Sequence, residues 1–354
     1  MRMNISINIL VTGAGAVLGQ GILRSLNMIK DRNIIIHSAD PDYRSTGHCI
    51  AQKTHKLPFA SDPSYIEEVK KIIECHDIRI LMIGTDTELP LFAKNKELLE
   101  STTGVKIVVS NTEVIDIAND KWKTAAFLKT HGFPYPQSVM ASDRGALEVF
   151  KKNNRFPYLA KPVDGARSKG IVIIQSDKEL AEVIADPKNL VIQEYLPDTD
   201  GEFTSGCIVV DGKCKAVVTL RRDLRDGNTY RAYYRHEYTA YDAFIADVAE
   251  KLGVDGPCNF QFRIRNQHPV IFEINSRFSG TTPLRFMFGY NEVEAILLYL
   301  TENQPIGWPV LKEGMVMRAW SDMFIPEEEV QRLKNNVSVS LPHAFFYEFN
   351  KGHK

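Results

Sequence analysis

From residue 7 onward, short, nearly continuous runs of Ile, Val and Leu alternate with longer mixed segments. INILVTG (7–13), NIIIHSAD (33–40), IRILMIGTD (78–86) and VKIVVS (105–110) read as strands, and 17–29, 65–75 and 90–100 between them as helices. Strands that are apolar throughout, rather than at every second position, are buried on both faces, as in a parallel sheet covered by helices. Residues 1–112 are therefore expected to form a doubly wound α/β domain. NDKWKTAAFLKTHG (119–132) then reads as a helix capped by Asn119 or Asp120 and stopped at Gly132, with Pro134 and Pro136 preventing its continuation. Beyond it the grammar changes. PYLAKPV, GIVIIQ, LVIQEYL, FTSGCIVVDGKCKAVVTL, CNFQFRIR and PVIFEIN are short strands with few helices between them, which predicts an α+β domain with a mostly antiparallel sheet over 113–310. A strand at 315–324 and a charged helix at 326–334 read as an appendage, 311–354, on that second domain.

The opening turn VTGAGAVLGQG places Gly13 and Gly15 between a strand and a helix, and Asp40 ends the next strand, as a dinucleotide site would have it. The spacing departs from GxGxxG: its sixth position is Leu18, and the next glycine is Gly19. A tight turn using glycine for backbone freedom is the competing reading.

CNFQFRIRNQHPVIFEINSR (258–277) predicts an antiparallel hairpin. A three-residue loop, Asn266 to His268, sets Phe262 opposite Phe272 and Gln261 opposite Glu273, with Asn275 and Arg277 further along the same face. Gln, Glu and Asn oxygens are ligands a hard cation such as Mg2+ accepts, and an arginine beyond them suits a phosphoryl group. A solvated sheet face is the plainer alternative. A loop one residue longer or shorter would put Gln261 and Glu273 on opposite faces.

Two further stretches carry chemistry. In YLAKPVDGARSKGI (158–171), Lys161 lies in an apolar strand, where an ammonium is costly without an anionic partner. The following loop, with Gly165, Ser168, Lys169 and Gly170, is rich in backbone donors suited to phosphates, although the P-loop pattern is absent. In VIQEYLPDTDGEF (191–203), a strand exits through Glu194, Tyr195 and Leu196, offering backbone groups to an adenine edge, with Glu202 in reach of ribose.

In this order, the residues resemble the ATP-grasp superfamily, most closely its carbamoyl-phosphate-synthase large-chain-like branch, over nearly the whole chain. The resemblance implies an N-terminal pre-ATP-grasp domain followed by an ATP-grasp fold with a smaller lid subdomain at about 125–197. It implies that Lys121 and Lys161 contact ATP phosphates, with Ser168, Lys169 and Gly170 in the lid loop. Glu194, Tyr195 and Leu196 would hold adenine and Glu202 ribose. Gln261, Glu273 and Asn275 would hold Mg2+, with Mn2+ an alternative, and Arg277 would stabilise the transferred phosphoryl group. Ser276 stands where the family commonly has Pro. With neither a glutaminase domain nor a second synthetase half in this sequence, carbamoyl phosphate synthesis itself is not expected.

For the acceptor, Arg222 in RRDLRDGNTYRAYYR suits an anionic substrate, Asp86 and Glu88 in GTDTEL suit an amine, and Ser279 and Gly280 offer a further wall. Tyr interleaved with Arg also occurs in single-strand grooves, but 43 Lys and Arg against 44 Asp and Glu give no global field for nucleic acid. No apolar run approaches a membrane span, and five scattered cysteines without a CxxC pair fit a reducing cytoplasm. The expected protein is a cytoplasmic, ADP-forming ligase that joins small-molecule carboxylate and amine substrates through an acyl phosphate. Its surface leaves room for a homodimer. The rivals are an NAD(P)-dependent oxidoreductase using the glycine turn and a non-catalytic ATP-binding protein.

Overall fold

The computed structural model describes residues 6–165, 170–186, 189–199, 201–319 and 322–335, and the backbone of 338–340 and 345–346. The chain divides into two compact units, one comprising 1–110, 277–310 and 317–354, the other 111–276 and 311–316. Among the described residues no helix is long and apolar enough to cross a membrane.

The first unit is built on a six-stranded sheet in the order Ser338–Ser340, Lys53–Lys56, Ile34–Asp40, Ile7–Val11, Ile78–Met82, Lys106–Val108. Five strands are parallel and the edge strand Ser338–Ser340 is antiparallel to its neighbour. Ile9, Leu10 and Val11, and Ile80, Leu81 and Met82, are buried consecutively, so both sheet faces are covered, as their unbroken apolar runs require. The helices Val17–Asn27, Tyr65–His76 and Leu89–Thr103 fall where the sequence predicts them, the last two ending at left-handed Asp77 and Gly104. The C-terminal tail departs from the expectation of an appendage on the second domain. Its strand Ser338–Ser340 pairs with Lys53–Lys56, satisfying the backbone groups of an otherwise open sheet edge.

Three histidines cluster in this unit. His37 and His55 are buried, their rings stack at 5.1 Å with 3° between planes, and His37 Nδ1 lies 2.8 Å from His55 Nε2. His76 leans on both at 5.2 and 4.7 Å. A bond between two ring nitrogens needs one donor and one acceptor, so the two rings are not both protonated while it holds. Burial, reinforced by His76 and Lys53, pushes His37 down to about 3, and burial with His37, His76, His48 and Lys53 does the same to His55.

The second unit contains two antiparallel sheets. The larger runs His268–Asn275, Gly256–Arg265, Glu202–Val210, Lys213–Arg225, Asn228–Tyr234, with Gly314–Met317 at its edge. One face packs under the helix Asp242–Leu252 around Phe203, Phe260, Phe262, Val248 and Ile274, with the Phe203 and Phe262 rings stacked at 5.4 Å. The smaller sheet, Ser138–Met140, Leu190–Glu194, Tyr158–Pro162, Val172–Ile174, has its own core around Tyr158, Phe150 and Ile192. Three helices unforeseen in the sequence, Thr112–Asn119, Arg144–Asn153 and Asp177–Val183, each begin at a polar residue that accepts a first-turn N–H: Asn111, Asp143 and Ser176. Asp120 caps Lys121–Thr130 through the N–H groups of Trp122 and Lys123, an arrangement worth about 1 kcal/mol.

The hairpin differs from its predicted register in an instructive way. Its turn is two residues, Asn266 and Gln267, both with positive φ (51° and 67°), and Arg265 pairs with His268. Phe262 therefore faces Ile271, not Phe272. A bulge between Gln261 and Phe262 then restores Gln261 opposite Glu273 and Asn259 opposite Asn275.

The histidine pair makes the fold acid-sensitive. Its depressed values favour the neutral folded form, so its stabilisation is complete above the ordinary value of 6.5 and is lost as pH falls toward about 3. The urea unfolding midpoint is expected to drop steadily from pH 6.5 to 4, and His55→Gln to flatten that slope.

Candidate functional site

The two sheets of the second unit enclose a cavity of about 320 Å3, within the range of small-molecule sites. Period-two alternation supplies its floor: Phe203, Phe260 and Phe262 turn to the core, while Glu202, Gln261 and Arg263 turn to the cavity, joined by Arg222 and Glu273 from the neighbouring strands. The opposing sheet contributes Leu159, Lys161, Ile173 and Gln193.

Lys161 is 5% exposed, beside the Phe272 ring at 5.9 Å. Burial pulls its ammonium down to about 8, against Glu273 and Glu202, which raise it, while Lys121 adds to the lowering. The Lys121 side chain lies across the loop, donating to the Gly165 carbonyl at 2.9 Å, and its backbone N–H donates to the Val163 carbonyl at 2.9 Å. Gly170 has φ +73° and packs on Pro162, while Ser168 and Lys169 lie outside the described residues.

The strand exit is fixed from both sides. Glu194 accepts from the Gln137 N–H at 2.8 Å and from Arg265 at 2.7 Å. The Leu196 carbonyl accepts from Arg263, whose guanidinium also lies 6.0 Å from the Tyr195 ring. Glu202 is clamped by two arginines: Oε1 accepts from Arg222 Nε and Nη2 at 3.1 and 2.6 Å, and Oε2 from Arg263 Nη2 at 3.0 Å. Arg222 continues to Gln261 Oε1 at 2.6 Å, Gln261 Nε2 to Glu273 Oε1 at 3.3 Å, and Asn275 Nδ2 reaches the same Glu273 oxygen at 3.0 Å.

Lys121, Lys161, Glu194, Tyr195, Leu196, Glu202, Gln261 and Glu273 thus line one cavity, with Asn275 bonded to its Glu273. Arg222, expected to hold an anionic acceptor, instead joins this group. Arg263, which the sequence patterns above do not single out, also lines the cavity, two residues from Gln261 on the same strand. The donor set suits a hard cation only modestly: one carboxylate and two amides need phosphate oxygens to complete an octahedron.

Other predicted residues lie in the first unit. Arg277 bonds Asp86 in a fork, at 2.6 and 3.2 Å. Glu88 is buried and turned inward, where Thr12, Tyr65 and Thr85 hydroxyls donate to it and burial raises its carboxyl above the usual range. Ser279 bonds Thr281 and Arg285 within a buried group containing the Arg285–Glu292 pair, and the Gly280 carbonyl accepts from Arg318. At the glycine turn a second cavity, of about 360 Å3, is lined by Gly13, Gly15, Asp40 and Glu88 and by no described Lys or Arg. A Cβ on Gly15 would lie 2.4 Å from Ser45 Oγ, and Asp40 takes the Gly15 N–H at 2.8 Å. Acids at the turn oppose a pyrophosphate, which weighs against the dinucleotide reading.

A family described as "ATP-grasp in the biosynthetic pathway with Ter operon" matches residues 186–323. The arginine-specific carbamoyl phosphate synthase large chain of Geobacillus stearothermophilus is 23% identical over 300 residues, which is 78% of this chain and 28% of that protein. The chain thus spans little more than a quarter of that relative. Among solved structures, N5-carboxyaminoimidazole synthetase from Staphylococcus aureus complexed with ADP superposes with a TM-score of 0.68 at 14% identity, covering 97% of this chain and 93% of that one. The L-amino acid ligase from Bacillus licheniformis gives 0.64 at 16% identity, covering 85% and 75%. The fold is that of the ATP-grasp proteins.

Because Lys161 holds a desolvated charge, its removal has a specific signature. Lys161→Met is expected to leave the thermal unfolding midpoint unchanged or raised, since a buried ammonium costs more than the apolar side chain that fills its space. Scanning calorimetry of both proteins checks this.

Proposed function

We propose that this ATP-grasp protein, a relative of carbamoyl phosphate synthase large chains, is an ADP-forming ligase joining a small carboxylate substrate to an amine. The observation that carries the reading is the single cavity that unites a buried lysine, a strand exit with a fixed carbonyl, and two differently held carboxylates. Lys121 and Lys161 are the cations for the nucleotide's phosphates. Glu194, Tyr195 and Leu196 form the adenine edge, and Glu202 faces the ribose. Ser168, Lys169 and Gly170 belong to the loop over the phosphates, and Arg277, two residues beyond Asn275 in the chain, is the candidate for phosphoryl charge.

Glu273 and Asn275 fit Mg2+ as oxygen donors. When bound, the ion neutralises phosphate charge and orients the reacting group. Gln261 serves differently in the arrangement seen: its carbonyl oxygen takes a hydrogen bond from Arg222 and its amide faces Glu273, so it orients that carboxylate.

In the reaction, a substrate carboxylate oxygen attacks the γ-phosphorus, the bond to the β-phosphate oxygen breaks, and ADP leaves. The amine then attacks the acyl carbon, phosphate departs with the C–O electrons, and the nitrogen loses a proton. Both steps are governed by positioning and charge neutralisation, so no protein nucleophile is required. Lys161 is suited to the first. An ammonium poised at about 8 by burial gains charge stabilisation when phosphate arrives.

With the correct carboxylate and amine, the protein is expected to release ADP and phosphate, and Lys161→Ala or Glu273→Ala to lower turnover by about 100-fold or more. Substrate-dependent release of AMP and pyrophosphate would contradict the proposal. Nucleotide affinity is expected to be flat below pH 8 and to weaken above it, as free Lys161 loses its proton; titration calorimetry across that range reads the effect.

A further inference from the structure

Arg222 lies at the centre of a chain of hydrogen bonds that crosses the cavity floor. The chain runs from the Leu196 carbonyl through Arg263 to Glu202, through Arg222 to Gln261, and on to Glu273. Arg222 is about one-tenth exposed, and its third nitrogen reaches Thr229 Oγ1 at 3.4 Å. Each contact removes a rotational choice from its neighbour.

A carboxylate offers about four lone-pair sites. Arg222 fills both on Glu202 Oε1, and Arg263 takes one on Oε2. The carboxylate is thereby pinned in one plane, with acceptor capacity remaining on one oxygen. The same fork decides how Gln261 points, because only its carbonyl oxygen can accept from a guanidinium.

On the premise that the cavity holds a nucleotide, we propose that Arg222 is a positioning residue for ribose recognition: it fixes Glu202 so that one oxygen accepts a ribose hydroxyl. A lysine cannot substitute, since a point charge lacks the fork that holds two acceptors at once. Arg222 is therefore tied to which nucleoside triphosphate is accepted, a role unlike the acceptor-anion contact its sequence context suggested.

The test is titration calorimetry of the full chain with Mg·ATP and Mg·2′-deoxy-ATP, comparing wild type, Arg222→Met, Arg222→Lys, Glu202→Gln and the Arg222→Met/Glu202→Gln double variant. Wild type is expected to prefer ATP about tenfold or more, the worth of one charge-assisted hydrogen bond. In Arg222→Met that preference should fall to about twofold or less, and in Arg222→Lys by at least about threefold, because the oriented acceptor is lost in both. The double variant should lose no more discrimination than Glu202→Gln alone, as expected of two residues acting through one contact. A preference unchanged in Arg222→Met, or both affinities falling by one common factor, overturns the proposal and assigns Arg222 to the phosphates or to the fold. If Arg222→Met does not fold, Arg222→Lys decides, and an unchanged preference there overturns it equally. Wild-type protein that binds neither nucleotide removes the nucleotide premise itself, a result distinct from binding without discrimination.

Discussion

The second unit is organised around the cost of keeping a lysine charged inside a sheet. Lys161 is placed by an apolar strand whose alternate residues, Tyr158 and Ala160, are buried in the small core, so its own side chain turns to the cavity, where it is nearly fully desolvated. A desolvated ammonium tends to lose its proton, and the fall to about 8 shows that burial outweighs the attraction of Glu273 and Glu202. Those carboxylates stand on the other sheet. The lysine's charge state therefore depends on the two sheets facing each other with acids on one and the lysine on the other, and the alternation of the floor strands exists to provide that face.

Much of this was legible, for a simple reason. Continuous apolar runs betray parallel strands, and Glu273 and Asn275 at a two-residue step, with Gln261 across the hairpin, betray a polar sheet face, because the period of a strand is fixed by its geometry. The hairpin shows where such reading fails. The three-residue loop predicted from Asn266 to His268 is a two-residue turn, and by itself that would have moved Glu273 away from Gln261. A bulge cancels the shift, so the functional pairing survives for a reason that sequence spacing does not display. Glu88 illustrates a second limit. It follows a parallel strand, in the loop where ligands gather, yet hydroxyls from distant Thr12 and Tyr65 and from nearby Thr85 draw it inward. Arg222 illustrates a third, since only the pairing of its strand with Glu202–Val210 brings it against Glu202.

The glycine turn and the polar cavity also show how one residue type answers different needs. In a dinucleotide turn, glycine lets phosphate oxygens approach the backbone. Here the space beside Gly13 and Gly15 is taken by Thr85 and Ser45, and the N–H of Gly15 is already given to Asp40. The turn keeps the shape of a phosphate cradle while its donors and volume serve the fold of its own unit.

Two carboxylates in a cavity suited to a polyanion would repel it, and the structure treats them unequally. Glu202 receives two guanidinium groups, which cancel its charge permanently and leave it a directional acceptor. Glu273 receives hydrogen bonds from the neutral amides of Gln261 and Asn275, which orient the carboxylate without cancelling its charge. Neutral donors preserve a carboxylate's pull on a cation, whereas guanidinium groups compete with one. On the proposed function, the division suits a divalent ion at Glu273 and hydroxyl recognition at Glu202. It also separates their failures: neutralising Glu273 would remove an attraction for the ion, whereas freeing Glu202 from its arginines would uncover its charge and cost its direction together.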